Sequence, residues 1–288
     1  RCRRRHTLQN TGLCLNSAYF GFYAHAGFVH GMVRGGFAPS IVTGCSSGAM
    51  IGALYCAGID MDEVVRLIQK IRKNDFWEGN ALTQAAKIFA RGVSRYSGLL
   101  TGRKIRALLE PYLGGLKFSD LKIPLGVAVS NVTTGRRELC TEGSVLDSVM
   151  CSMAFPFLME IQKMKGNDYI DGGVVDHEPT KEMILDPSVR TIVVHMIETE
   201  RETPPRSPIV RAFHASLSII DHETRDLKDR LALARKTKIV RAMTRTPHLG
   251  PDRTHYGETA LHAGQKSAAT ILRSLKIPRS RANGRGLA

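Results

Sequence analysis

The segment "PSIVTGCSSGAMIGALYCAGID", residues 39–60, constrains the fold of this chain more than any other stretch. A β-branched run turns at G-C-S-S-G into a helical pattern rich in Gly and Ala, side chains small enough to let a helix lie close against a sheet. The same alternation recurs. "TGLCLNSA" reads as a strand entering a loop, and "FYAHAGFVHGMVRGG" as a helix ended by Gly35 and Gly36. Residues 60–112 read as several helices, among them "MDEVVRLIQKIRK" and "GRKIRALLEPYL". "IPLGVAVSNVTTGRRELCT" gives two strands around a turn, and "SVLDSVMCSMAFPFLM" a helix stopped near Pro156. "EIQKMKGNDYIDGG" then gives a short hairpin, "RTIVVHMIE" a strand and "RETPPRSP" a loop; the remainder, to about residue 275, reads as mostly helical. Strands alternating with helices in this way define the α/β class.

With 288 residues and 43% hydrophobic composition, the chain can bury a large core as one domain, or as one domain with an appended subdomain. No run of about 18 apolar residues is present, which predicts no transmembrane span, and the opening "RCRRRH" lacks the apolar stretch of a secretion signal. The six cysteines fall outside C-x-x-C pairs, and we read them as reduced, buried thiols of a cytoplasmic protein.

Net charge is +15, but Arg1, Arg3, Arg4, Arg5, Arg273, Lys276, Arg279, Arg281 and Arg285 lie in end segments without acids, and removing these nine leaves +6. We therefore expect a basic N-terminal tail over 1–10, a folded domain over 11–275 and a disordered basic tail over 276–288. Such tails suit peripheral contact with an anionic membrane. They lack aromatic interleaving or any recognised module, which argues against nucleic acid as a partner.

Gly44-Cys45-Ser46-Ser47-Gly48 fits the G-x-S-x-G nucleophile elbow, in which Gly44 and Gly48 let strand and helix pass close to a strained serine. The alternative is a packing corner of small residues. The strand before and helix after favour the elbow, and the helix N-terminus offers the Ser47 N–H and a positive dipole to an oxyanion. A serine needs a base. None of the ten histidines, His177 and His195 included, stands in a context that marks it as one. Asp171 in "YIDGGVVDHEP" is a further candidate, projecting from a tight turn at a strand end, although an Asp in D-G also commonly holds its own turn.

Taken together, Ser46 in G-C-S-S-G, the stretch "SVMCSMAFPFLMEIQKMKGNDYIDGGVVDHEP" and Asp171 in D-G-G resemble the patatin-like phospholipases, with Ser152, Ala154, Pro156 and Phe157 in the stretch that matches the family's segment before the hairpin. "FSDLKIPLGVAVSNVTTGRREL" is also similar, and the resemblance runs from about Leu13 to about Leu272. It implies a three-layer α/β/α fold around a central, mostly parallel sheet. It further implies a lipid acyl hydrolase with a Ser46-Asp171 dyad, phospholipid, lysophospholipid or simpler ester substrates, and no metal or other cofactor. Gly172 and Gly173 would then let the backbone clear the nucleophile. The family's Gly-rich oxyanion loop corresponds to Asn16-Ser17-Ala18-Tyr19-Phe20-Gly21-Phe22, where most glycines and the basic residue are replaced. Ser17, Ala18, Tyr19 and Ser47 are the candidate oxyanion donors. A side chain at positive φ there costs of order 1 kcal/mol or more, so weak turnover, or lipid or protein binding without turnover, is the rival expectation. Phe76, Trp77, Ile88 and Phe89, with Lys87, Arg91 and Arg95, are read as either an interfacial lid or an amphipathic helix with a buried face.

Overall fold

The computed structural model describes residues 10–78, 97–200 and 207–275. The segments 1–9 and 276–288, most of the expected lid and the expected loop at 201–206 lie outside the described residues. In chain order the strands are β1 (Thr11–Leu15), β2 (Ile41–Cys45), β3 (Gly98–Leu100), β4 (Leu125–Asn131), β5 (Arg136–Cys140), β6 (Phe157–Met159), β7 (Gln162–Met164), β8 (Asn167–Asp171), β9 (Thr191–Thr199) and β10 (Lys238–Thr246). The helices that matter below are α1 (Phe22–Arg34), α2 (Ser47–Cys56), α3 (Met61–Lys70), α4 (Arg103–Leu113), α5 (Val145–Ser152), α6 (Lys181–Leu185), α7 (Pro208–Arg235) and α8 (Gly257–Ser274).

The main sheet runs β10-β9-β1-β2-β4-β8-β7, with β5 also on β4. Pairing is parallel from β10 through β4 and antiparallel beyond it. Successive side chains of a strand point to opposite faces, and both faces here are covered. Leu13, Leu15 and Val193 join a core with Phe28, Ile51, Leu54 and Ala268 of the helices α1, α2 and α8. Cys14, Ile192 and Val194 point the other way, onto Met183 and Ile184 of α6 and Ala232 of α7. Helices on both faces of a mostly parallel sheet are the architecture expected from the sequence.

One expectation fails. Residues 238–246 are a strand, β10, in a stretch read as helical. Ala242, Thr244 and Thr246 are buried while Met243 and Arg245 are exposed, so the period is two; Lys238, Arg241 and Arg245 mask that alternation in the sequence. Helices α1 and α8 meet main chain to main chain: a Cβ on Gly27 would lie 1.9 Å from the Leu261 carbonyl oxygen, and one on Gly264 2.1 Å from that of Ala24. Among the described residues no helix is long and apolar enough to cross a membrane, and no group of three His, Cys, Asp or Glu residues is disposed to hold a metal ion.

Candidate active site

Strand register brings Ser46 and Asp171 together. On β4, Ala128 pairs with Cys45 and the next residue, Val129, pairs with Asp171. β5 takes the opposite edge of β4, so β2 and β8 share one edge and meet end to end. The residue after Cys45 is Ser46, at φ 53°, ψ −120°. That conformation costs a side-chain-bearing residue on the order of 1–3 kcal/mol, and the surroundings hold it in place. The Ser46 N–H donates to Ser152 Oγ at 2.8 Å, whose hydroxyl donates to the Ala128 carbonyl at 2.7 Å. Ser46 occupies the N-cap position of α2, where a serine ordinarily caps its own helix. Its hydroxyl makes no cap bond and lies instead beside the Asp171 carboxyl. The flanking glycines are explained by contact: a Cβ on Gly44 would fall 2.7 Å from the Gly48 carbonyl oxygen, and one on Gly48 2.2 Å from that of Leu15.

Asp171 is held through its main chain and through one carboxyl oxygen. Its N–H donates to Ala154 O at 2.9 Å, and its carbonyl accepts from Ser130 Oγ at 3.0 Å. Its Oδ1 accepts from the Gly173 N–H at 2.7 Å and from Cys45 Sγ at 3.6 Å. The side chain is buried, and burial pushes its pKa up to about 6 even though the nearby Ser46 hydroxyl, the bond from Gly173 and the neighbouring His177 pull the other way. The D-G-G glycines prove to clear other neighbours than the nucleophile. A Cβ on Gly172 would meet the Ala128 carbonyl at 2.3 Å, and one on Gly173 the Ser17 hydroxyl at 2.4 Å.

The loop at 16–21 lies against this pair, anchored by bonds from several elements. Asn16 N–H donates to His195 O at 3.2 Å, and Ser17 N–H to His177 O at 2.9 Å. The Ala18 carbonyl accepts from Ser47 Oγ at 2.7 Å and from the Gly21 N–H at 3.1 Å. Ser17 N–H is thus already committed, which takes it out of the four donors named from the sequence; Ala18, Tyr19 and Ser47 stay in that set. Phe20 carries a positive φ of 53° despite its side chain. Its ring sits edge-on to Tyr19 and Phe76, at 4.8 and 5.0 Å between centroids, and tilted on Phe22 at 5.5 Å. Aromatic packing therefore does what glycine would have done. It also corrects the lid expectation for Phe76, which is buried in this cluster, while Trp77 is half-buried with Lys73 Nζ 5.5 Å from its ring centroid.

A strained serine at a strand-to-helix turn, beside a buried aspartate of a D-G-G turn, accompanies a match of residues 13–184 to the family model for patatin-like phospholipase. The chain belongs to the patatin-like phospholipase family. Relatives include the lysophospholipase NTE1 of Pyricularia oryzae, 26% identical over 180 residues, covering 62% of this chain and 11% of that protein. Another is the neuropathy target esterase sws of Drosophila melanogaster, 25% identical over 180 residues, covering 62% and 12%. An uncharacterized NTE family protein of Mycobacterium tuberculosis is 24% identical over 169 residues, covering 58% and 43%. The chain thus spans a minor part of the length of these relatives. Among solved structures, VipD from Legionella pneumophila superposes with a TM-score of 0.59 at 15% identity, covering 92% of this chain and 67% of that one, a likeness of fold.

Within this patatin-like frame the ring contacts of His195 and His177 go to groups other than Ser46. His195 is fully buried, with its two ring nitrogens 2.8 Å from His25 Nδ1 and Thr244 Oγ1, and burial lowers its pKa well below the usual range. His177 Nδ1 faces Asp221 at 4.0 Å, and its carbonyl serves the loop. Ser130, Cys45 and Ser152 carry bonds to the Ser46-Asp171 pair that no motif announced. Ser152 stood in the recognised segment without a role, and only the register of β4 reveals one.

Proposed function

We propose that this chain is a serine lipid acyl hydrolase, acting on phospholipid, lysophospholipid or a simpler carboxylic ester, with Ser46 as nucleophile and Asp171 as its base. The observation that carries this reading is the Ser46 hydroxyl set beside a buried carboxyl whose pKa is raised to about 6, a base poised closer to neutrality than an exposed aspartate. Ser46 Oγ attacks the ester carbonyl carbon as its proton passes to Asp171. The tetrahedral oxyanion collapses, the bond to the alcohol oxygen breaks, and Asp171 returns the proton to the departing alcohol. Water then attacks the acyl-serine, giving its proton to Asp171, and the acid leaves as Ser46 is reprotonated. The oxyanion is assigned to N–H groups of Ala18, Tyr19 and Ser47, aided by the N-terminal dipole of α2. The net charge of +15 supports peripheral contact with an anionic membrane from a cytoplasmic location as the route to substrate.

A second reading, lipid binding with little turnover, is favoured by one feature: the loop lacks most of the family's glycines and has one N–H already bonded to His177. A fluorophosphonate probe separates the two. Labelling of the wild-type chain that is lost in Ser46→Ala supports the hydrolase; labelling that persists in Ser46→Ala, or none in the wild type, overturns it.

A further inference from the structure

Thr244 of β10, His195 of β9, His25 of α1 and the Asn16 carbonyl form a buried line of hydrogen bonds. Thr244 Oγ1 lies 2.8 Å from His195 Nε2, His195 Nδ1 2.8 Å from His25 Nδ1, and His25 Nε2 2.9 Å from Asn16 O. Both imidazoles are fully buried, and Phe28 stacks flat on His195 at 3.9 Å between centroids with 3° between planes.

The donors and acceptors have one consistent assignment. A carbonyl only accepts, so His25 Nε2 carries a hydrogen. Burial drives the His25 pKa down to about 3 and that of His195 well below its usual range, so each ring is neutral and holds one hydrogen. His25 Nδ1 is then bare and accepts from His195 Nδ1–H. His195 Nε2 is bare in turn and accepts from the Thr244 hydroxyl. All bonds in the line run the same way, from β10 to the loop.

The line ends at one particular peptide unit. The carbonyl of the Asn16–Ser17 peptide is held by His25, and its N–H donates to His177 O at 2.9 Å. A peptide bonded at both ends cannot rotate without breaking one bond, and it leads directly into Ala18 and Tyr19. We propose that His25, His195 and Thr244 are positioning residues that fix this peptide plane, and through it the oxyanion loop, by a one-directional relay of neutral imidazoles. This rests on the hydrolase reading of Ser46. It assigns to side chains on α1, β9 and β10 the rigidity that a glycine-poor loop must obtain from its neighbours.

Two measurements test it. In ¹⁵N-edited NMR of the full chain, His25 should be the Nε2–H tautomer and His195 the Nδ1–H tautomer, unchanged between about pH 5 and 8 where an exposed histidine titrates. The opposite tautomers, or an imidazolium, overturn the relay. For function, His25→Leu should lower the kcat of a short activated ester and the labelling rate of Ser46 by roughly tenfold or more, the scale of a misplaced oxyanion donor, with KM changed less than about twofold. His25→Gln, whose amide nitrogen can still reach the Asn16 carbonyl, should recover much of that loss. If His25→Leu does not fold, Thr244→Val takes its place, with a drop in kcat of several-fold. Full labelling rates in a folded His25→Leu or Thr244→Val reduce the line to a structural role and overturn the proposal. Failure of the hydrolase reading shows separately, as a wild-type chain that takes no label while the tautomers remain as assigned.

Discussion

Asp171 joins catalysis to stability through one titration. Its carboxyl holds its proton to about pH 6 when folded and to roughly pH 3.9 when unfolded. A folded pKa above the unfolded one gives stability that is complete below the lower value and is lost as pH rises through the upper. Ester turnover needs the carboxylate, so kcat/KM should climb with pH and reach half its plateau near pH 6; a profile flat from pH 5 to 8 would count against Asp171 as base. At pH 8 the fold carries a buried carboxylate that Asn would replace with a neutral group. Asp171→Asn should therefore be inactive yet melt about 2–6 °C above wild type at pH 8, the gap closing toward pH 4.5. Calorimetry across that range checks it, and a gap that widens toward acid refutes it. Ser152→Ala would leave the Ser46 N–H and the Ala128 carbonyl without their partner. We expect a loss of about 1–3 kcal/mol in denaturant unfolding together with slower labelling of Ser46, whereas unchanged labelling would show that the elbow holds without it.

At the scale of elements, α1 is the piece whose placement matters most, because it carries His25 to β9 and lies against α8 at Gly27. Gly27→Ala would drive a methyl into the Leu261 carbonyl, and main chain cannot swing aside as a side chain can. We expect a destabilisation of about 2–4 kcal/mol in urea unfolding, in the range of severe overpacking; neutrality would mean that α8 shifts freely on α1. What the sequence made legible follows the same division. The elbow could be read because its requirements are local: two glycines, a β-branched approach and a small-residue helix within ten or so positions. D-G-G was legible for the same reason. The meeting of the two was legible only through the family resemblance and not from the residues themselves, since it depends on Cys45 and Asp171 pairing with consecutive residues of β4. The relay likewise joins α1 to the ninth and tenth strands, where each histidine alone resembles any satisfied core histidine. β10 was missed because its basic residues interrupt the alternation that marks a strand.

For the whole molecule, the sheet order sets the minimal folding unit. The family match ends at residue 184, but one neighbour of β1 is β9, residues 191–199, and β10 closes the sheet beyond it. A chain stopped at residue 184 would keep every motif residue and still lack a partner along one edge of β1. We expect that fragment to be insoluble or to exchange its β1 amides without protection, while a chain ending at residue 275 protects them; hydrogen exchange and sedimentation distinguish the two, and a soluble, protected fragment would refute it. The same order has a consequence for biosynthesis. β1 leaves the ribosome well ahead of β9, since its partner from residue 191 onward follows only after the long segment between them has been made. At about 5–20 residues per second, an apolar strand edge waits roughly 10–35 seconds for its neighbour, long enough for a nascent-chain chaperone to be a participant in making this protein.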